Sequence, residues 1–195
     1  MQNQGVPQPL PSSFYRRDPL EVARDLLGKK LVREYAGQRL EGVITEVEAY
    51  FGDGDTGSHA SRGQTARNAV MFGEPGRAYV YLVYGMYWML NVVTSPAGVA
   101  GAVLIRAMRP VRGREWMEQL RGRKTQLADG PGKLCQALAV KQEFNGWDLS
   151  LGQELWIESH LVPRPGQVQA GPRIGIDYAL PEHRDAPWRL WWRAE

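Results

Sequence analysis

The sequence predicts a single mixed α+β domain, and three observations carry that prediction. Short runs rich in Val, Ile, Tyr and Trp recur between turn signals, which is strand patterning. Helix-start punctuation stands between them, at Asp18-Pro19 and at Gly130-Pro131. No linker, internal repeat or low-complexity tract divides the 195 residues, a length that one core can serve. Residues 1–14 are expected to form a flexible N-terminal tail, polar and Pro-rich at its start, and residues 15–195 the domain.

Composition narrows the function classes. No apolar run approaches the roughly 18 residues of a membrane span. The N-terminus lacks the apolar region of a signal peptide. The single cysteine, Cys135, excludes a disulfide within the chain and any Cys-pair zinc site, so a cytoplasmic protein is expected. The net charge of +3 leans towards an anionic partner.

In chain order, Asp18-Pro19-Leu20-Glu21 is a capped helix start, and the helix should run to Leu27 and stop at Gly28. Lys29–Tyr35 and Leu40–Tyr50 read as strands about an Ala36-Gly37 turn. Alternation puts Ile44, Glu46 and Glu48 on one face of the second strand, although Glu is a poor strand former. These glutamates fit a solvated edge, or a paired-carboxylate site with one general base and one partner held by Arg. Gly52–Asn68 is a loop whose Asp residues hint at calcium, but its spacing is not that of an EF-hand. His59 in this loop suits a surface residue unless other groups converge on it. A short helix is expected from Thr65 to Phe72, then a turn at Gly73–Gly76.

Tyr79–Asn91 reads as a hairpin with Gly85 in its turn and Tyr84-Gly85-Met86 as an apolar tip. It fits either a buried core hairpin or a tip that meets a partner. Gly101–Arg109 is an apolar strand that places Arg106 with Ala102, Leu104 and Met108, and the two glutamates are its candidate partners. Arg106 to Lys124 carries seven cations against Glu115 and Glu118. Its middle, Arg114–Leu120, reads as a helix with either a solvated or a phosphate-contacting face. Asp129–Leu134 departs from the P-loop pattern and opens a helix reaching about Val140. Later strands are expected at Leu155–Glu158, Arg173–Asp177 and Trp188–Trp192.

Taken together, Glu48-Ala49-Tyr50, His59, Arg67-Asn68 with Met71-Phe72, the Tyr79–Asn91 hairpin, Leu104–Ala107 and Gly130–Leu138 closely resemble the alkyladenine (3-methyladenine) DNA glycosylase family over residues 15 to 193. The resemblance implies a curved antiparallel sheet with flanking helices and a protruding, DNA-inserting hairpin. It implies no metal and no cofactor. The catalytic base matches Glu48, which would deprotonate the attacking water. Arg106 and the backbone carbonyl of Ile176 would help hold that water. Tyr50, His59, Tyr81 and Asn91 match the base pocket, with Asn91 set to clash with the 2-amino group of guanine. Tyr84 and Met86 match the intercalating tip, and Arg67, Gly132 and Lys133 are phosphate-binding candidates. Duplex DNA containing damaged purines is the expected partner of a monomeric, nucleoid-associated bacterial enzyme. With no lysine nucleophile among these positions, it should leave an abasic site without cutting the strand. The family fold also resembles the C-terminal domain of formyltransferases. That keeps open a non-catalytic nucleic-acid-binding module, or a lesion sensor that flips bases without hydrolysis.

Overall fold

The computed structural model describes residues 8–193. After helix α1 (Ser12–Tyr15) comes α2 (Pro19–Leu26), capped as its sequence requires. The Asp18 carboxylate accepts from the Leu20 N–H at 2.8 Å, and Pro19 needs no partner at the first position. Strands β1 (Lys30–Tyr35) and β2 (Gln38–Phe51) follow, then β3 (Ala78–Val83), β4 (Tyr87–Val93) and β5 (Gly101–Arg112). Helices α3 (Arg114–Arg121) and α4 (Pro131–Ala137) precede β6 (Leu155–Glu158), β7 (Val168–Gly171), α5 (Pro181–Arg184) and β8 (Arg189–Trp192).

All eight strands join one antiparallel sheet, curled into a half-barrel, in the order β3-β4-β5-β2-β1-β6, with β8 paired to both β2 and β7. β2 organises it. One edge pairs with β5 over residues 41–51. The other edge is shared between β1 at residues 38–43 and β8 at Glu46–Glu48. The main core fills one face: Val22, Ala23 and Leu26 of α2 and Leu134, Cys135 and Ala137 of α4 pack on Ile44, Val47, Leu90, Val92 and Ile105. Such contacts bury apolar surface at about 25 cal/mol per Å². On the outer side, Lys30, Arg39, Glu41 and Glu158 form an ion-pair network around the buried Trp156, whose indole N–H donates to Glu158 at 2.8 Å.

The structure departs from strict alternation in a way that matters for the site. Thr45 is an extra residue in β2 and Arg106 an extra residue in β5. Strict alternation groups Ile44 with Glu46 and Glu48, and Met108 with Arg106. The paired bulges separate them. Ile44 and Met108 join the core, while the two glutamates and Arg106 meet on the opposite face.

Other expectations shift as well. Residues 173–177 form no strand: Pro172 lacks a ladder N–H and Gly175 has φ +81°. β7 pairs with β8 instead. α4 ends at Ala137 rather than near Val140, with Ala139 at φ +50°. The expected helix before Phe72 is a 3-10 turn, Ala69–Phe72. Part of the expected tail packs on the domain. The Leu10 N–H donates to Ile157 O at 2.8 Å, and the Leu10 side chain is buried. Residues 1–7 of that tail lie outside the described residues.

Candidate active site

The bulged face of the sheet opens into a cavity of about 550 Å³ between β3, β4, β5, the 57–67 loop and the 174–178 segment. Glu48 lies behind this lining, its side chain fully buried and held by three residues that do line the cavity, Tyr50, Arg106 and Ile174. Oε1 accepts from the Ile174 backbone N–H at 2.8 Å and lies 3.2 Å from Arg106 Nη1. Oε2 accepts from the Tyr50 hydroxyl at 2.8 Å. Burial pushes the Glu48 carboxyl above its ordinary value. Arg106, the Ile174 N–H, Tyr50 and Arg173 pull it back without cancelling the rise. Burial and the neighbouring Glu48 charge push the Tyr50 hydroxyl well up, so it stays a donor. A desolvated carboxylate whose lone pairs are not exhausted is equipped to take a proton from a water that reaches it.

The walls are aromatic. His59 and Tyr81 meet edge to face with ring centroids 4.6 Å apart, and Tyr79 lies behind Tyr81 at 5.1 Å. His59 Nδ1 is 3.0 Å from the Tyr79 hydroxyl. Burial pushes that hydroxyl up to about 12, so it keeps its proton, and which partner donates follows the His59 tautomer. Burial, then the nearby Arg67, lower His59 and favour its neutral form. Tyr50 also lines the cavity, while Arg173 presses on one face of its ring, 4.6 Å from the centroid. Asn91 is buried, lines the cavity, and is oriented by donating Nδ2–H to Tyr79 O at 3.0 Å.

The hairpin tip stands at the rim, with Tyr84 84% exposed and Met86 61% exposed. Tyr84 and Gly85 have φ +54° and +69°, and the Met86 N–H closes the turn on Val83 O at 3.1 Å. Glycine adopts such angles freely; tyrosine does not. Gly132 of α4 packs against the start of β4, where a Cβ would stand 3.0 Å from the Tyr87 ring. Lys133 is paired with Asp129 at 3.0 Å and lies outside the cavity lining. Arg67 lines the cavity and sits over the Tyr81 ring at 5.8 Å. Ile176 lines it too, but its carbonyl already accepts from the Ala179 N–H at 2.9 Å, leaving one lone pair for a water. Thus Arg106, Tyr50, His59, Tyr81, Asn91, Tyr84, Arg67 and Ile176 line one cavity with Glu48 behind it, whereas Met86, Gly132 and Lys133 lie outside the lining.

Several contributors escape a reading of the sequence. Asp55, in the loop whose acids hint at calcium, is buried and held in a two-pronged pair by Arg173 at 2.7 Å. Arg173 also donates to Ala49 O and lies between the Tyr50 and Trp188 rings. The Ile174 amide and Arg189, which pairs with Glu46 at 3.1 Å, carry no local signature. Among the described residues no group of three or more His, Cys, Asp or Glu side chains is placed to hold a metal ion.

A base-equipped carboxylate beneath aromatic walls suits hydrolysis at a flat heterocycle brought in from solvent, the work of a glycosylase. Comparison with known proteins carries this to a family. The chain belongs to the methylpurine-DNA glycosylase (MPG) family, whose model matches residues 13–195. It is therefore classed with the DNA-repair glycosylases, hydrolases of base excision repair. A Methanocella arvoryzae protein is 50% identical over 185 residues, covering 93% of this chain and 91% of that one. Proteins of Bacillus cereus strain Q1 and Bacillus thuringiensis strain Al Hakam are each 47% identical over 194 residues, covering 93% of this chain and 94% of theirs. All three are provisionally named 3-methyladenine DNA glycosylase.

Proposed function

We propose that residues 15–195 act as one glycosylase domain that flips alkylated or deaminated purines out of duplex DNA and hydrolyses the N-glycosidic bond. The substrates are of the 3-methyladenine, 7-methylguanine, hypoxanthine and ethenoadenine class. The observation that carries the reading is the buried Glu48 carboxylate just behind the aromatic cavity, tied to three residues that line it, through Arg106, the Tyr50 hydroxyl and the Ile174 N–H. Glu48 takes a proton from a water that attacks C1′ as the base departs. Arg106 keeps the carboxylate in place, and the free lone pair of the Ile176 carbonyl aligns the water. Tyr50 stacks on one side of the flipped purine and His59 with Tyr81 on the other, at about 1–3 kcal/mol per stacked base. Cationic methylated purines gain further from cation–π attraction. Asn91 at the cavity wall rejects guanine through its 2-amino group. Tyr84 fills the space left in the helix, with Met86 beside it. Arg67, Lys133 and the Gly132 N–H contact phosphates.

No lysine lines the cavity among the described residues. An amine nucleophile is therefore not at hand, and the product is an abasic site with the strand intact. The protein works as a monomer on DNA in the cytoplasm. No helix among the described residues is long and apolar enough to cross a membrane.

The test uses duplexes bearing one hypoxanthine or one ethenoadenine, incubated with wild type or Glu48→Gln, with and without hot alkali. Breaks only after alkali and only with wild type are expected. Loss of the general base should cost about 10²–10⁴-fold in rate, with lesion binding retained. Breaks without alkali would instead mean lyase chemistry. Tight lesion binding without release of any base, alkylated genomic DNA included, would mean a sensor.

A further inference from the structure

Glu48 does not have its cation to itself. Arg106 spans two carboxylates: Nη1 lies 3.2 Å from Glu48 Oε1, and Nε donates to Glu46 Oε1 at 3.0 Å. The same Glu46 oxygen accepts from Arg189 Nη1 at 3.1 Å, while Arg189 Nε donates to Pro172 O at 2.9 Å. Charges therefore alternate along one line, Glu48, Arg106, Glu46, Arg189, running from the cavity towards β8. The bulges at Thr45 and Arg106 bring the line together. Neither Glu46 nor Arg189 lines the cavity. Each has a side chain 23% exposed, so their charges are screened less than those of a free surface pair.

We propose that Glu46 and Arg189 are positioning residues that set how tightly Arg106 holds Glu48, and hence how strong a base Glu48 is. The proposal rests on the reading of Glu48 as the base. An arginine divided between two carboxylates stabilises each less than one devoted to a single partner. Glu46 draws Arg106 away and adds a like charge near Glu48. Arg189 neutralises Glu46 and returns part of Arg106. The other groups facing Glu48 are the hydroxyls of Tyr50 on β2 and Tyr81 on β3, the Ile174 N–H, and Arg173 with its partner Asp55. The side chains of Tyr50, Tyr81, Arg173 and Asp55 are untouched when residues 46 and 189 are altered. Arg189→Gln also releases the Pro172 carbonyl two residues before Ile174, an effect the double variant shares.

The experiment is single-turnover excision of hypoxanthine or ethenoadenine from a duplex, followed against pH. It compares wild type with Glu46→Gln, Arg189→Gln, the double variant and the charge-keeping Arg189→Lys. The acid limb of the profile should move to lower pH in Glu46→Gln and to higher pH in Arg189→Gln, each by about half a unit or more. It should return close to the wild-type position in the double variant and stay there in Arg189→Lys. A merely structural role would lower the rate without moving the midpoints in opposite directions. Midpoints that do not move, or move the same way, overturn the proposal. Glu48→Gln runs alongside. If it excises like wild type, or if wild type releases no base, from alkylated genomic DNA included, the reading of Glu48 fails and takes this inference with it. If Glu48→Gln is inert and the midpoints stay put, only the positioning role fails.

Discussion

At Tyr84 the backbone adopts an angle that tyrosine disfavours, φ +54°, in the turn that presents its ring to solvent. The cost for an L-residue other than Gly, Asn or Asp is about 1–2 kcal/mol. Asn-Gly is the preferred pair for two successive positive angles. Tyr84→Asn should therefore raise the melting temperature while sharply lowering lesion excision, which calorimetry and the duplex assay would read on the same sample. Stability falling together with activity would mean the tip is packed rather than presented. Glu48 makes the same exchange by another route. Its folded-state value lies above the ordinary carboxylate value of 4.5, so the native state binds the proton more tightly than the unfolded chain. Stability tied to this group is present below pH 4.5 and is lost as pH rises through the raised value. Glu48→Gln should thus melt higher than wild type at pH 7 and no higher near pH 4. With Glu48 in its proposed role as base, wild-type excision should fall as pH drops through that same raised value.

At the scale of elements, α4 and the hairpin are joined at Gly132, where a Cβ would meet the Tyr87 ring at 3.0–3.2 Å. Gly132→Ala gains up to about 1 kcal/mol of helix propensity, which pushing Tyr87 outward offsets. Its melting temperature should stay close to wild type while affinity for lesion duplex drops; an unchanged affinity would separate α4 from DNA contact. Much at this scale was legible in the sequence. Asp18-Pro19 announced α2, and the Tyr and Val run announced β3. Paired glutamates in a strand marked where chemistry could lie. The bulges were not legible, because an extra residue is defined by the register of two strands and leaves no trace in either alone. Nor was the Arg173–Asp55 pair, whose partners meet only when a segment read as a strand folds as an irregular turn against a loop 118 residues away.

Across the whole molecule, charge is divided between two faces. On the face outside the core, burial would raise Glu41 and Glu158, but hydrogen bonds and charges from Arg39 and Lys30, and the Trp156 N–H on Glu158, leave both below the ordinary carboxylate value. The stability they contribute is fully present above pH 4.5 and is lost as pH falls through their lowered folded values. Acid unfolding monitored by circular dichroism should therefore be shallower in a Glu41→Gln, Glu158→Gln double variant, although that variant is less stable at pH 7. Around the cavity, the candidate phosphate contacts predict DNA binding that weakens steeply with salt. Lys133→Gln should reduce the slope of log affinity against log salt by about 1. An unchanged slope would remove Lys133 from the interface. The fold has one more consequence, in time rather than space. The amide that holds Glu48 belongs to Ile174, 126 residues further along the chain, and β8 seals the same stretch of β2 later still. A growing polypeptide can assemble β1 to β5 with the Glu48 carboxylate in place, yet that carboxylate lacks its Ile174 partner until the last quarter of the chain has been synthesised and docked. On the proposed role of Glu48, ribosome-bound or prematurely ended chains should excise no bases, and activity should first appear when the C-terminal residues dock.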